Sequence, residues 1–275
     1  MPHSAFARDK AAVVTGAASG IGRSAARRFA AAGMRVYLID LPGAALDAAA
    51  ADVATAAAEP DYVTAIPCDV ADEAAMRRAA AQVASVATAP SLLMNNAVTR
   101  VGGGLWNPSE EWQRALNVNL WGVINGVRAF APAMISAGAR AFIVNVGSKQ
   151  GITNPPGNTA YNVTKAAVKT YTEALQHDLR TTPGCRVSAH LLIPGWTTTG
   201  DREHKPGAWL PDQVVDHMMT GLEVGDFYIL CPDDETPPAT DRKRILWAAG
   251  DLTENRPPLS RWDPAYKAAF EAFDP

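Results

Sequence analysis

The chain has 275 residues, of which 48% are apolar, and this is enough to bury one large core. Its net charge of -3 and its scattered lysines and arginines leave no basic surface for nucleic acid. No stretch supplies the ~18 uncharged apolar residues that a membrane-spanning helix needs, so we expect a cytoplasmic protein without a membrane partner.

Short β-branched or apolar runs alternate with longer alanine-rich runs along most of the chain. The predicted strands are 11–15, 35–40, 62–67, 91–95, 141–147, 186–193 and 226–231. The predicted helices between them are 20–32, 44–58, 72–87, 109–137 and 158–180. This alternation predicts an α/β fold in one domain: a doubly wound Rossmann-type parallel sheet of about seven strands with helices on both faces.

The composition changes after Cys231, where the chain becomes proline-rich and charged, with a further helix predicted over residues 241–249. We predict a nucleotide-binding and catalytic domain over residues 1–232. The C-terminal extension, residues 233–275, is rich in interface-forming residues such as Arg256, Arg261 and Trp262. It is expected to pack on the same domain or on a neighbouring subunit.

The first strand is followed by the run Thr15-Gly16-Ala17-Ala18-Ser19-Gly20-Ile21-Gly22, which opens the first helix. Glycines permit a sharp turn and a close approach of the backbone to a pyrophosphate, and the free N–H groups of a helix N-terminus attract the anion. Gly16, Ser19, Gly20, Ile21 and Gly22 are therefore predicted to bind a dinucleotide. The alternative is an ordinary turn between strand and helix.

Asp40 ends the second strand, about 20 residues beyond the glycine turn, where a carboxylate can accept hydrogen bonds from a ribose diol. The same carboxylate would repel a 2′-phosphate, and Ser19 offers such a phosphate no positive charge. We therefore predict NAD rather than NADP. The alternative role for Asp40 is that of a turn residue before Leu41-Pro42-Gly43.

A possible proton-transfer group lies in the run Tyr161-Asn162-Val163-Thr164-Lys165, with Ser148 thirteen residues before the tyrosine. On a helix, Tyr161 and Lys165 lie one turn apart on the same face. A nearby ammonium lowers the pKa of a phenol, which is otherwise about 10. A Tyr-x-x-x-Lys alone is weak evidence, since an exposed tyrosine beside a solvated lysine gives the same pattern.

These motifs together resemble the short-chain dehydrogenase/reductase family of about 250 residues. The glycine turn, Asn95-Asn96-Ala97, Asn119, Ser148, Tyr161-x-x-x-Lys165 and Pro194-Gly195 occur in the family's order over residues 10–199. The family pattern Asn-Leu-x-Gly selects Asn119 over Asn117. Val98 departs from the family's usual glycine, Thr164 replaces a frequent serine, and the extension lies outside the resemblance.

The resemblance implies an NAD-dependent oxidoreductase that interconverts a secondary alcohol and a ketone. Tyr161 would be the general acid/base, Lys165 would lower its pKa, Ser148 would hold the substrate oxygen, and Asn119 would hold a water in the proton relay. Ser148 could instead be a helix cap. Further cofactor contacts are implied for Asp69, Val70, Asn96, Pro194, Gly195, Thr197 and Thr199, besides Tyr161 and Lys165. The alternative is a non-catalytic NAD(H)-binding sensor or partner protein.

The substrate pocket is predicted to include Gln150, Pro155 and Trp196, beneath a lid over residues about 197–224. Trp196, Trp209, Met218 and Met219 suggest an apolar or aromatic substrate, although such residues also pack in cores. We expect Lys149 to point away from Ser148 into solvent. Widely spaced cysteines and histidines predict no metal site. The resemblance implies a homotetramer or homodimer.

Overall fold

A computed structural model describes residues 4–87, 89–200 and 202–274. Seven parallel strands form one sheet in the order β3-β2-β1-β4-β5-β6-β7. The strands are β1 (Ala11–Thr15), β2 (Arg35–Asp40), β3 (Val63–Pro67), β4 (Leu92–Asn95), β5 (Ala141–Val146), β6 (Val187–Ile193) and β7 (Tyr228–Leu230). The predicted seven-stranded, doubly wound parallel sheet is confirmed.

The described residues also contain ten α-helices, most of them between the strands in chain order. They are α1 (Gly20–Ala31), α2 (Ala44–Ala54), α3 (Glu73–Ala84), α4 (Ser109–Ala115), α5 (Gly122–Ser136), α6 (Gln150–Thr153), α7 (Thr159–Thr181), α8 (Pro211–Val224), α9 (Pro238–Thr253) and α10 (Lys267–Ala272). None of the helices in the described residues has the length and apolar character required to cross a bilayer.

The core has two layers because alternate residues of each strand point to opposite faces of the sheet. Val14 of β1 packs in one layer with residues of α1, α2 and α8. Val13 packs in the other layer with residues of α3, α5 and α7. Burial of both faces explains why the strands read as continuous apolar runs.

The predicted helix over residues 109–137 is interrupted. A π-helical segment, Leu116–Trp121, lies between α4 and α5, and the polar side chain of Asn119 is fully buried within it. A π-helical turn inserts an extra residue into the helical repeat and often occurs at functional sites. Its wider turn changes the direction in which Asn119 points, which a regular helical period does not predict.

The C-terminal extension packs against the strand ends of its own chain. Asp233 and Asp241, the latter on α9, both form ion pairs with Lys149, at 3.2 and 2.7 Å. Trp247 of α9 is buried beneath Phe270 and Phe273, and its Nε1 donates to Ser260 at 2.8 Å. The extension therefore has its own small core and is fixed to the chain segment that follows β5.

Candidate active site

The turn between β1 and α1 is shaped for a close approach of its backbone to a ligand. Gly16 and Gly20 have positive φ values of 65° and 56°. A Cβ on Gly22 would lie 2.2 Å from the Gly16 carbonyl oxygen, so this position accepts no side chain. Ser19 precedes α1 without a side-chain hydrogen bond to the helix, which leaves the first N–H groups of α1 free for an anion.

A first cavity of about 620 Å³ extends along the carboxyl ends of the strands from this turn. Every residue predicted to contact the cofactor lines it, except Gly22, which is buried inside the turn. The cavity lies where strand order reverses between β1 and β4, the usual ligand position in doubly wound sheets. Its shape and its glycine turn suit a dinucleotide.

Asp40 supports the turn from the end of β2. Its Oδ2 accepts a hydrogen bond from Ala18 N and its Oδ1 accepts one from Leu41 N, both at 2.8 Å. The carboxylate also lines the first cavity. The two roles considered for Asp40 are therefore compatible, because a carboxylate has lone pairs for both backbone and ribose donors.

Asn96 has a structural role that the sequence did not indicate. Its Nδ2 donates to the carbonyl oxygens of Thr15 and Gly16, each at 3.0 Å, and so holds the glycine turn from the end of β4. The departure at Val98 causes no backbone strain, because its φ is not positive. Val98 is half-exposed and lines the first cavity.

Ser148 and Tyr161 lie together after β5 and at the start of α7. Burial raises the pKa of the Tyr161 phenol, whereas the hydrogen bond with Ser148 and the positive charge of Arg100 oppose this increase. Ser148 Oγ also accepts from the N–H of Gln150, the first residue of α6, at 3.2 Å. This contact and the contact with Tyr161 are compatible for a single hydroxyl.

Lys165 is 3% exposed and its Nζ donates to the Val146 carbonyl oxygen at 2.7 Å. Burial, with a smaller contribution from the positive charge of Arg100, lowers its pKa to about 8. Its Nζ lies 5.7 Å from the centre of the Tyr161 ring. The lowering of the Tyr161 pKa by Lys165 stays a prediction, because the groups that set the pKa of the phenol in the folded chain are its burial, Ser148 and Arg100.

Asn119 connects two segments of the site. Its Nδ2 donates to the Thr99 carbonyl oxygen and to Thr164 Oγ1, at 3.0 and 3.2 Å, and its Oδ1 accepts from Thr99 N at 2.7 Å. Thr164 Oγ1 in turn donates to the Tyr161 carbonyl oxygen at 2.8 Å. Asn119 thus fixes the loop after β4 against α7, while its place in a water relay stays a prediction.

A second cavity of about 620 Å³ opens on the other side of Ser148 and Tyr161, and these two residues line both cavities. The predicted Gln150, Pro155 and Trp196 line it. So do residues of the C-terminal extension, which the sequence did not assign to the site. These are Asp233, Thr236, Arg244, Arg261 and Trp262. The one sequence signal for them was the concentration of Arg and Trp in the tail.

Two expectations about the surroundings of the site require correction. Lys149 is not solvated: its side chain is 14% exposed because Asp233 and Asp241 of the extension enclose it. Met218 is completely buried in the core, and Met219 and Trp209 pack against the same core, so none of the three lines the second cavity. Of the four residues that suggested an apolar substrate, Trp196 alone lines the second cavity.

Part of the predicted lid is a core helix. Residues 211–224 form α8, which packs on α1 through Val214, Val215 and Leu222. Arg28 of α1 also forms an ion pair with Asp216 of α8. Within the predicted lid, irregular backbone is therefore confined to residues between Thr197 and Leu210, of which residue 201 lies outside the described structure.

Across the described residues, no group of three or more His, Cys, Asp or Glu side chains is arranged to hold a metal ion. The polar groups that meet at Ser148 and Tyr161 are instead a hydroxyl, a phenol and a buried ammonium. This set can hold a substrate oxygen and exchange a proton with it.

Comparison with known proteins identifies the family. The model of the short chain dehydrogenase family matches residues 10–206, and the chain belongs to this family. Galactitol 2-dehydrogenase (L-tagatose-forming) of Cereibacter sphaeroides is 39% identical over 190 residues, covering 68% of this chain and 71% of that protein. The 1-deoxy-11-beta-hydroxypentalenate dehydrogenase of Streptomyces avermitilis is 34% identical over 247 residues, covering 86% and 89%.

Two solved structures that contain nicotinamide cofactors share the fold. A short chain dehydrogenase/reductase of Burkholderia phymatum in complex with NAD has a TM-score of 0.82 and 30% identity, covering 91% of this chain and 96% of that one. A metagenomic short-chain oxidoreductase in complex with NADP has a TM-score of 0.69 and 28% identity, covering 82% and 98%. The chain is thus an oxidoreductase of a family that uses a nicotinamide cofactor.

Proposed function

We propose that this protein is an NAD-dependent dehydrogenase that interconverts a secondary alcohol and a ketone. The observation that carries this proposal is that Ser148 and Tyr161 line both cavities. A dinucleotide in the first cavity and an alcohol in the second would therefore meet at one phenol and one hydroxyl. The similarity to dehydrogenases of galactitol and of 1-deoxy-11-beta-hydroxypentalenate supports an alcohol substrate.

The choice of NAD rests on Asp40. Its carboxylate lies at the end of β2 in the first cavity, where it would accept from a ribose diol and repel a 2′-phosphate. Gly16, Gly20 and Gly22 would admit the pyrophosphate. Asp69, Val70 and Asn96 would border the adenosine half, and Thr197 and Thr199 the nicotinamide half.

Side chains of the protein would transfer the proton of the reaction. Ser148 would hold the substrate oxygen, and Tyr161 would take the hydroxyl proton as the carbon–hydrogen bond breaks. When bound, the oxidised nicotinamide would accept the hydride, and its positive charge would favour the phenolate. Lys165 would hold the nicotinamide ribose, and Asn119 would hold a water that connects Lys165 to solvent.

A non-catalytic NAD(H)-binding sensor is the second candidate, because a fold by itself does not establish activity. The buried position of Asn119 and the contact of Ser148 with Tyr161 favour the enzyme, since a sensor has no need for a proton-transfer site. We further propose that the enzyme acts in the cytoplasm as a homotetramer or homodimer.

The test is a panel of aliphatic, aromatic, steroid and polyol alcohols with NAD and with NADP, followed by absorbance of the reduced nicotinamide. Tyr161→Phe should lower kcat by about 10²- to 10⁴-fold and leave the Kd of NAD unchanged. Tyr171→Phe on the same helix is the matched control, because Tyr171 packs in the core away from both cavities. No turnover of any alcohol by a protein that binds NAD would favour the sensor.

A further inference from the structure

The second cavity is rich in arginine. Five cationic side chains line it, namely Arg100, Lys149, Arg202, Arg244 and Arg261, against the single carboxylate of Asp233. Two of these cations, Arg244 and Arg261, belong to the extension, which lies outside the match to the family model. These two cations therefore come from a part of the chain that the family model does not describe.

Lys149 has carboxylate partners at ion-pair distance, whereas Arg244 and Arg261 do not. Asp233 and Asp241 both pair with Lys149. Burial raises the pKa of the Asp241 carboxyl, and the positive charges of Lys149 and Arg244 oppose this increase. Within the described parts of the chain, neither Arg244 nor Arg261 forms an ion pair. With Lys149, the two guanidinium groups give three positive charges against the two carboxylates of Asp233 and Asp241, so one positive charge is in excess beside the second cavity.

Arg244 and Arg261 are half-buried and close to each other. Burial, reinforced by the positive charge of Arg244, lowers the pKa of Arg261 to about 10, so the Arg261 guanidinium remains charged at neutral pH. Two like charges partly removed from water are unfavourable unless an anion joins them. The two guanidinium groups therefore suit an anionic ligand.

Both arginines are held in place by neutral groups. The Arg261 guanidinium lies 4.7 Å from the centre of the Trp262 ring and 5.5 Å from that of Phe270, and Arg244 Nη1 donates to Thr236 Oγ1 at 3.2 Å. Stacking fixes the plane of a guanidinium and leaves its remaining N–H groups free to bind a carboxylate or phosphate bidentately.

A further polar group of this cavity lacks a partner. Gln150 Oε1 is buried, and no hydrogen-bond donor in the described residues reaches it. A buried acceptor without a donor is unfavourable, and a hydroxyl on the ligand would satisfy it. Together with the arginines it characterises a cavity suited to a polar, negatively charged molecule.

We propose that the substrate is a secondary alcohol, or the matching ketone, that also carries an anionic oxygen group, a carboxylate or a phosphate ester, bound by Arg244 and Arg261. This inference rests on the proposed function and names the substrate class for the same site. Exposed Arg100 and Arg202 at the rim would attract the anion. The extension would thereby act as the specificity element of the enzyme.

Binding is tested without turnover, using glutarate and inorganic phosphate as non-reacting probes with the NAD-loaded full chain. We expect at least one probe to raise the Tm and bind measurably. Arg244→Gln and Arg261→Gln should each weaken its Kd by about 10- to 100-fold while the Kd of NAD is unchanged. Arg242→Gln, an exposed position on the same helix, is the matched control and should behave as wild type.

Turnover is tested with mandelate and β-hydroxybutyrate, each beside its methyl ester. The acids should exceed their esters in kcat/KM by about 10- to 100-fold, mainly through KM, and the two arginine variants should abolish this preference. Esters oxidised as well as acids, or probe binding that is equal in wild type and variants, would overturn the inference and leave the proposed function standing. Arginine-dependent probe binding without oxidation of any alcohol would instead support the anion site and contradict the proposed function.

Discussion

Burial is the main influence on the pKa of Lys165. The lysine is buried near Arg100, and its Nζ donates to the Val146 carbonyl oxygen rather than to the phenol. Both burial and the Arg100 charge destabilise the charged ammonium, so its pKa falls towards the physiological range. A lysine that can release its proton near neutral pH is suited to the proton relay proposed for this site.

The pKa of Lys165 predicts a pH dependence of stability. Below pH 8 the lysine is charged in both the folded and the unfolded chain, and burying it costs free energy. Between pH 8 and 10.5 the unfolded chain binds a proton that the folded chain has lost, so this cost declines as pH rises. Relative to Lys165→Met, the free energy of unfolding of wild type should rise by about 2 kcal/mol between pH 7 and 9.5.

Urea denaturation of both proteins at several pH values measures this difference. Taking the difference cancels the titration of groups common to both proteins. A difference that stays constant from pH 7 to 9.5 would show that Lys165 keeps an ordinary pKa in the folded chain.

At the scale of elements, a buried ion cluster fixes the extension to the catalytic segment. Asp233 pairs with Lys149, which directly follows Ser148. Asp233 Oδ2 also accepts a hydrogen bond from Trp196 N at 3.0 Å. Gly195 lacks a side chain because a Cβ there would lie 2.3 Å from that same oxygen. The cluster thus joins α9, the segment after β5 and the segment after β6 around the second cavity.

Removing the Lys149 ammonium from this cluster should destabilise the folded protein. Lys149→Met leaves two buried carboxylates unpaired and should lower the free energy of unfolding by about 3–5 kcal/mol. Hydrogen exchange in α9 should accelerate. Lys169→Met is the control: its ion pair with Glu173 has the same 2.7 Å length as that of Lys149 with Asp241 but is more exposed, so the cost should stay within about 1 kcal/mol.

Chemical denaturation and hydrogen exchange measured by mass spectrometry provide the two readouts. If both lysine variants lose the same free energy of unfolding and the amides of α9 exchange as fast as in wild type, the extension is held by other contacts.

At the scale of the whole molecule, the sheet brings together residues that are far apart in the chain. The first cavity joins the ends of β1 to β6, while the second cavity adds the extension. The outer surface of α7 and of the π-helical segment carries exposed apolar residues, with Val163 44% and Trp121 46% exposed. Exposed apolar groups on two neighbouring elements suit an interface between copies of the chain.

Light scattering after size-exclusion chromatography should therefore give a mass of two or four times 29.1 kDa. Val163→Glu should reduce that mass, because it introduces a charge into the proposed interface. Val224→Glu, at a site that is 70% exposed at the end of α8, should not. A monomeric wild type would contradict the assembly, and an unchanged mass for Val163→Glu would place the interface elsewhere.

The sequence alone determined the sheet, the glycine turn and the alignment of Ser148, Tyr161 and Lys165. These features depend on local periodicity and on spacing within one or two elements, which the order of residues records directly. Local sequence signals also predicted that Asp40 ends β2 and indicated both of its roles.

The tertiary structure decided everything that depends on contacts between distant segments. The ion cluster of Lys149 with Asp233 and Asp241, the burial that sets the pKa of Lys165, and the arginines at the second cavity all join residues separated by several elements. Met218 and Trp209 are the opposite case. The sequence suggested that they lie at the substrate pocket, but they pack in or against the core instead. Burial and charge pairing are properties of the folded neighbourhood, and no periodicity in the chain encodes which distant side chain will arrive there.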